Sequence, residues 1–289
     1  MSSSFLLITN QQSNVCPILF HSFKIANKKK NYVIVYRGHG NIKWQTSPSL
    51  FRNKKLYSSE NSILRSLLAS QPDSFLDDQS TLEKLARMQH FSLPTRLLDV
   101  TWNPLVALYF CVKDKQNSDG DVVVIGVSRN DDKFFDSDTA SCVANLAYMN
   151  PRERNAIRHA PDMKNFDGSE GKVRSFNEEK EVSRLLHFVK SEKPYFSPEI
   201  IPSDLKRNLL VRPKLNNRRI VAQNGAFILF GLKHESLEKN PDNFKIDKIR
   251  IEAKHKRDLQ KELDLFGFND QAMFPELESA SKYIRSKFG

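Results

Sequence analysis

Cysteine is scarce: Cys16, Cys111 and Cys142 are the only three in 289 residues, and they lie far apart. That is too few for a disulfide framework, and the spacing does not suit a zinc site. Cys111 falls in the apolar run LYFCV, where a buried thiol is the ordinary role. A reducing compartment follows, so the chain is expected in the cytoplasm. No apolar stretch approaches the ~18–20 residues that cross a bilayer, and no membrane association is expected. The opening MSSSFLLITNQQSN has a short apolar patch with no basic stretch ahead of it, so no secretory signal is expected. Four chemical signatures are also missing: a Walker-type phosphate loop, a GxGxxG after a strand, an HExxH helix and a GxSxG elbow. The seven histidines are dispersed, with no two at a metal-ligand spacing, and no metal is expected.

Positive charge is what the chain has in excess. Lys and Arg total 45 against 34 Asp and Glu, a formal net charge of +11. Such a field attracts phosphate-rich partners, RNA or DNA, in a salt-dependent way. A generally basic surface with no dedicated ligand fits the same numbers. With 39% hydrophobic and 27% charged residues, the composition is that of a globular fold.

Residues 1–30 read as an N-terminal extension ending in the basic stretch Lys28 to Lys30. YVIVY (Tyr32 to Tyr36) reads as a buried strand ended by Gly38 and Gly40. Ser59 to Ala69 carries Ile63, Leu64, Leu67 and Leu68 as one helical stripe. Ser80 to Phe91 follows with Leu82, Leu85, Ala86 and Met88, and Ser80 with Glu83 makes a capping box. SLPTRLLDVTWNP fits neither period. Asn103 then caps a helix that starts at Pro104 and is apolar almost all round, hence buried. NSDG is a turn into the central strand DVVVIGV. Residues 129–176, polar and weakly periodic, read as an inserted excursion with short helices near Asn145 to Ala160. Glu178 to Val189 is amphipathic, with Val182, Leu185, Leu186 and Val189 on one side. Strands are expected at Asn208 to Val211, Ala226 to Leu232 and Lys245 to Ala253. A helix from Arg257 to Phe266, carrying Leu259, Leu263 and Phe266, stops at Gly267, and a last helix follows Pro275. Strands and helices interleaved irregularly in this way imply an α+β fold.

Three places could carry chemistry. Within fifteen residues, QHFSLPTRLLDVTWN supplies Gln89, His90, Thr95, Arg96, Asp99, Thr101 and Asn103 in an apolar setting. Buried polar groups need partners, at roughly 1–3 kcal/mol for each one left unsatisfied. A structural arrangement would satisfy them as well, with Arg96 paired to Asp99, Asn103 only capping and the threonines bonding backbone. Arg37 closes the first strand beside Gly38 and Gly40, which let backbone approach a ligand, and its fork suits phosphate or carboxylate. Its structural alternative is an ion pair with Glu60 or Asp99. Gln223, in Ala222-Gln223-Asn224-Gly225 ahead of AFILF, could point into the same cleft, or the Asn-Gly pair could simply turn the chain into the strand.

YRGHGNIKW, LARMQHFSLPTRLLDVTWNPLVALYF and RRIVAQNGAFILF together resemble the FRG domain family over roughly Tyr32 to Phe230. The aromatic-Arg-Gly start is Tyr36, Arg37 and Gly38. LDLFG, from Leu263 to Gly267, and Phe274-Pro275-Glu276-Leu277 extend the resemblance further along the chain. The departures are Tyr36 for phenylalanine, Ser92 where glycine is usual and Val100 where an aromatic is usual. The resemblance implies an FRG-type domain over 31–232, with 233–289 adding a C-terminal strand and helices to the same core. It also implies a mixed, mainly antiparallel sheet with flanking helices, similar in layout to ADP-ribosyltransferases. By that likeness NAD is the substrate. Arg37, with Gly38, Thr95 and Arg96, contacts its phosphates or ribose, Thr101 and Asn103 hold the nicotinamide side, and Gln223 sits near the ribose 2′-hydroxyl. Since glutamine cannot act as a base, His90 or Asp99 would activate the acceptor. The implied role is a toxin or antiviral defence effector that modifies RNA, DNA or protein, with a neutralising antitoxin or partner protein. The alternatives are a non-catalytic nucleic-acid-binding module and a module that recognises a phage or host protein.

Overall fold

The computed structural model describes residues 15–28, 31–239 and 243–275. Seven strands form one mixed sheet: β1 (Tyr32–His39), β2 (Leu97–Thr101), β3 (Gly120–Ser128), β4 (Asp132–Phe134), β5 (Leu209–Arg212), β6 (Gly225–Leu229) and β7 (Phe244–Ile251). Their order is β4-β5-β6-β2-β1-β3-β7, and every neighbouring pair is antiparallel except β4 with β5. The principal helices are α1 (Val15–Lys28), α2 (Glu60–Ser70), α3 (Thr81–His90), α4 (Pro104–Lys113), α5 (Asp138–Asn145), α6 (Pro151–His159), α7 (Lys180–Glu192) and α8 (Lys256–Leu265). Among the described residues, no helix is long and apolar enough to cross a membrane.

The helical signals hold closely. Ser80 and Glu83 form the reciprocal capping box of α3, and Asn103 caps α4 with Pro104 at its first position. Val182, Leu185, Leu186 and Val189 form the buried side of α7. In α8, Leu259 and Leu263 are buried while Phe266, expected on the same stripe, lies outside at the exposed C-cap. The helix expected after Pro275 lies outside the described residues.

Two expectations change. SLPTRLLDVTWNP is not irregular throughout: Leu97–Thr101 is the middle strand of the sheet. Asp99, a residue depleted in strands, concealed its period. The first strand does not end at Gly38, because β1 runs on through Arg37, Gly38 and His39 beside β3. A Cβ on Gly38 would meet the Ala107 carbonyl oxygen at 2.0 Å and the Cys111 amide nitrogen at 2.6 Å, so this glycine admits the backbone of α4 rather than a ligand. The stretch 129–176 carries the short helices expected near Asn145 to Ala160 and contributes to the core. Ala140, Val143, Leu146, Ile157, Met163 and Phe176 are buried in one cluster with Leu97, Phe227 and Leu229 of the sheet. Before residue 30, α1 buries Val15 and Ile18 beside α4 and α8.

Successive strand residues face opposite sides, and the three apolar clusters follow that rule. On one face, α2, α3, α5 and α7 cover β5, β6 and β2, while α1, α4 and α8 cover β1, β3 and β7. The other face is a single cluster to which both halves contribute, with Val35, Val123 and Ile125 from one and Leu98, Val100 and Ile228 from the other.

One buried ion cluster fixes α2 and α6 to the end of β2. The Glu60 carboxylate takes Arg96 Nε and Nη2 at 2.7 and 2.6 Å and Arg154 Nη1 at 2.8 Å. All three residues are at most 3% exposed. Removing the shared carboxylate would strand two buried guanidinium groups. Glu60→Ala should therefore destabilise the fold by about 3–5 kcal/mol, read as a shift in the urea midpoint. A loss under about 1 kcal/mol, the range of an exposed pair, would contradict this role.

Candidate functional site

β1 is registered with β3 along its whole length but with β2 at one pair only, Tyr36 with Thr101. Beyond that pair the two strands part. Arg37 stands at the parting, and its Nη1 donates to the Asp99 carbonyl at 2.5 Å, where a ladder amide would otherwise serve.

Alternation decides which groups meet. Tyr36 and Thr101 are a registered pair and share a face, so Asp99 points to that face as well, whereas Arg37 and His39 point to the opposite one with Val35 and Leu98. The expected single hollow shared by Arg37 and the polar segment is therefore not what forms. Arg37 reaches that segment through the backbone of Asp99.

On the Asp99 side, over β2 and β6, lies a pocket of about 60 Å³ lined by Gln89, His90, Asp99, Asn217, Arg219 and Gln223, among others. Four of these were singled out from sequence and come together here. Thr95 supports them from behind: it is buried and donates to Gln89 Oε1 at 2.5 Å. Gln223 Nε2 donates to the Met273 carbonyl at 3.0 Å.

Several other expected contacts are already occupied. The Thr101 hydroxyl donates to the Gln223 carbonyl at 2.7 Å and accepts the Asn103 amide at 3.0 Å. Asn103 Oδ1 accepts the Leu105 amide at 2.9 Å as the cap of α4. Arg96 is 1% exposed and held by Glu60, not by Asp99. Thr95, Arg96, Thr101 and Asn103 thus build the site without facing a ligand. Gly38 is filled by α4.

The Arg37 side holds a residue that sequence reasoning missed. His39 is 1% exposed, and neither ring nitrogen has a hydrogen-bond partner. Arg37 Nε is also shielded and unpartnered. Trp44 meets His39 edge-on, with ring centroids 6.3 Å apart. Burial, then the charges of Arg37 and Lys248, pushes His39 down to about 3, so its imidazole is neutral. Burial also lowers Arg37, opposed by the charge of Asp99. Nearby, Glu238 accepts Thr46 Oγ1 at 2.6 Å and pairs with Lys248 at 3.0 Å. The signal was present in YRGH, where a strand continued by two residues puts His39 on the face of Arg37.

The FRG domain family model matches residues 32–120. Residues 32–120 are an FRG domain. The match spans β1, α2, α3, β2 and α4, the elements that frame the split and one wall of the pocket. It ends at Gly120, so the blocks around Gln223 and Phe274 lie outside it. No curated protein and no solved structure matches the chain. The Ser92 departure also has a backbone reason for the usual glycine: Ser92 has φ +65°, in the left-handed region that glycine adopts without strain.

The neutral, buried His39 of the FRG domain sets a pH dependence. An unfolded-state histidine titrates near 6.5, while His39 remains neutral down to about 3. Between those values the unfolded chain binds the extra proton, so stability falls as pH drops through that window. Urea unfolding at about pH 7 and about pH 4.5 should show a smaller acid loss for His39→Leu than for wild type. Equal losses would contradict a histidine buried without its proton.

Proposed function

We propose that the FRG domain is an NAD-dependent ADP-ribosyltransferase-like effector, acting as a toxin or in defence. The observation that carries this reading is the lining-up of three distant sequence blocks on adjacent strands. Tyr36 is registered with Thr101, and Thr101 with Gly225. Arg37, the polar segment 99–103 and Gln223 are therefore neighbours across β1, β2 and β6.

The residues divide the work by chemistry. Arg37 lies on the opposite face and acts on the pocket through its hydrogen bond to the Asp99 carbonyl, which positions β2. The pocket is small against the ~300–1,000 Å³ of sites that enclose a whole ligand, so it receives only the ring end of the dinucleotide. Gln89 and Gln223 supply amides there. Nicotinamide departs with the electron pair of its bond to the ribose carbon, the acceptor oxygen bonds to that carbon, and the acceptor proton passes to a base. Gln223 cannot take it. Asp99 and His90 line the same pocket and can.

Labelled NAD incubated with cell RNA, DNA and protein should transfer label to an acceptor. Asp99→Asn should slow transfer about 100-fold or more while NAD still raises the melting temperature. Arg37→Ala should lose that thermal protection. Neither protection nor NAD consumption with any acceptor would overturn the reading.

A second reading is favoured by one contact. An amide, tied to the Met273 carbonyl, stands where the transferase layout calls for a carboxylate. A non-catalytic nucleic-acid-binding module needs no carboxylate there, and it would bind RNA or DNA with NAD left intact.

A further inference from the structure

We propose that single-stranded nucleic acid lies across the mouth of the Gln89–Asp99–Gln223 pocket, stacked on Phe91 and held by Arg218 and Arg219. The transferase reading supplies only what would follow binding, since the contact itself needs no NAD. Two independent features of the rim point to this ligand.

The first is aromatic. Phe91 caps α3, directly after His90 of the pocket wall, and is 64% exposed. Its ring stands edge-on to the His90 imidazole, centroids 5.0 Å apart, so the ring does not bury itself against its neighbour. An exposed ring beside a polar pocket is a platform for an unpaired base, and base–aromatic stacking tolerates any base.

The second is charge on the opposite wall. RPKLNNRR, residues 212–219, puts four cations in eight positions, and Asn217 and Arg219 line the pocket. Two of the four are already neutralised: Arg212 pairs with Asp132 at 2.7 Å and Lys214 with Glu83 at 2.9 Å. Arg218 is exposed, and Arg219 lies over the Phe274 ring, 4.8 Å from its centroid, which leaves its charge in place. Those two are the cations available to phosphate. The Asp99 carboxylate, inside the pocket, disfavours phosphate there, which leaves the backbone of a strand on the rim and a base or ribose facing inward. A duplex keeps its bases stacked on one another and cannot use Phe91, so the ligand is single-stranded.

Fluorescence anisotropy with a labelled mixed-sequence RNA of about twelve nucleotides, the matching DNA and its duplex, all without NAD, tests this. Wild type should bind the single strands and favour them over the duplex. Phe91→Ala should weaken single-strand binding about tenfold, and Phe91→Trp should retain it. Arg218→Ser with Arg219→Ser should weaken all sequences alike and flatten the log–log salt slope by about 1.4, the value for two phosphate contacts on a single strand. Thermal unfolding of each variant separates lost binding from lost folding. No binding by wild type, equal affinity for duplex, an unaltered Phe91→Ala, or an unchanged slope in the double variant would each overturn the proposal. Binding without any NAD turnover would count against the transferase reading alone. Transfer to protein without nucleic-acid binding would count against this proposal alone.

Discussion

One registered pair, Tyr36 with Thr101, joins the two halves of the sheet, and the features around it follow from how little pairing surrounds it. Backbone groups that leave a ladder must find other partners. At the Asp99 carbonyl the partner is a guanidinium, which draws the charge of Arg37 into a shielded place against the cost of desolvation. His39, two residues on, is carried into the same interior and stays neutral. On the other face the small pocket lies within the β2–β6 half, walled by α3 and the segment Asn217 to Gln223.

The surrounding elements keep this opening in place. α4 presses its backbone on Gly38, and Asn103 caps its start just after Thr101 has tied β2 to the turn before β6. Glu60 binds Arg96 at the foot of β2 to Arg154 of α6. Side chains that looked chemical in the sequence are therefore of two kinds. Arg96, Thr101 and Asn103 use their polar atoms to hold the frame, while Gln89, His90, Asp99 and Gln223 line the pocket.

The helices were legible because their signals are local: capping at Ser80 and Asn103, Pro104 at a first position, and the α7 stripe from Val182 to Val189. The α+β class and strands β1, β3, β5, β6 and β7 were legible for the same reason. β2 was not, because Asp99 faces a pocket that only the fold creates. Residues 129–176 showed only weak periodicity because their buried positions, such as Ala140 and Met163, are small or widely spaced and meet a surface assembled from distant chain. The site was half legible. Residue types and the family pattern named Gln89, His90, Asp99 and Gln223. They could not say that Arg37 would point to the other face, since that depends on the strand running on through Gly38 to His39.

Hydrogen exchange in the presence and absence of NAD tests most directly whether the split is where the ligand sits. Protection should appear in Gln89 to Phe91 and Asn217 to Gly225, which hold the pocket's lining, and at Arg37, which is bonded to the Asp99 carbonyl. The contrary result is protection confined to the larger 560 Å³ cavity beside Lys193 and Tyr195, or no protection at all; either would place the chemistry away from the Tyr36–Thr101 junction.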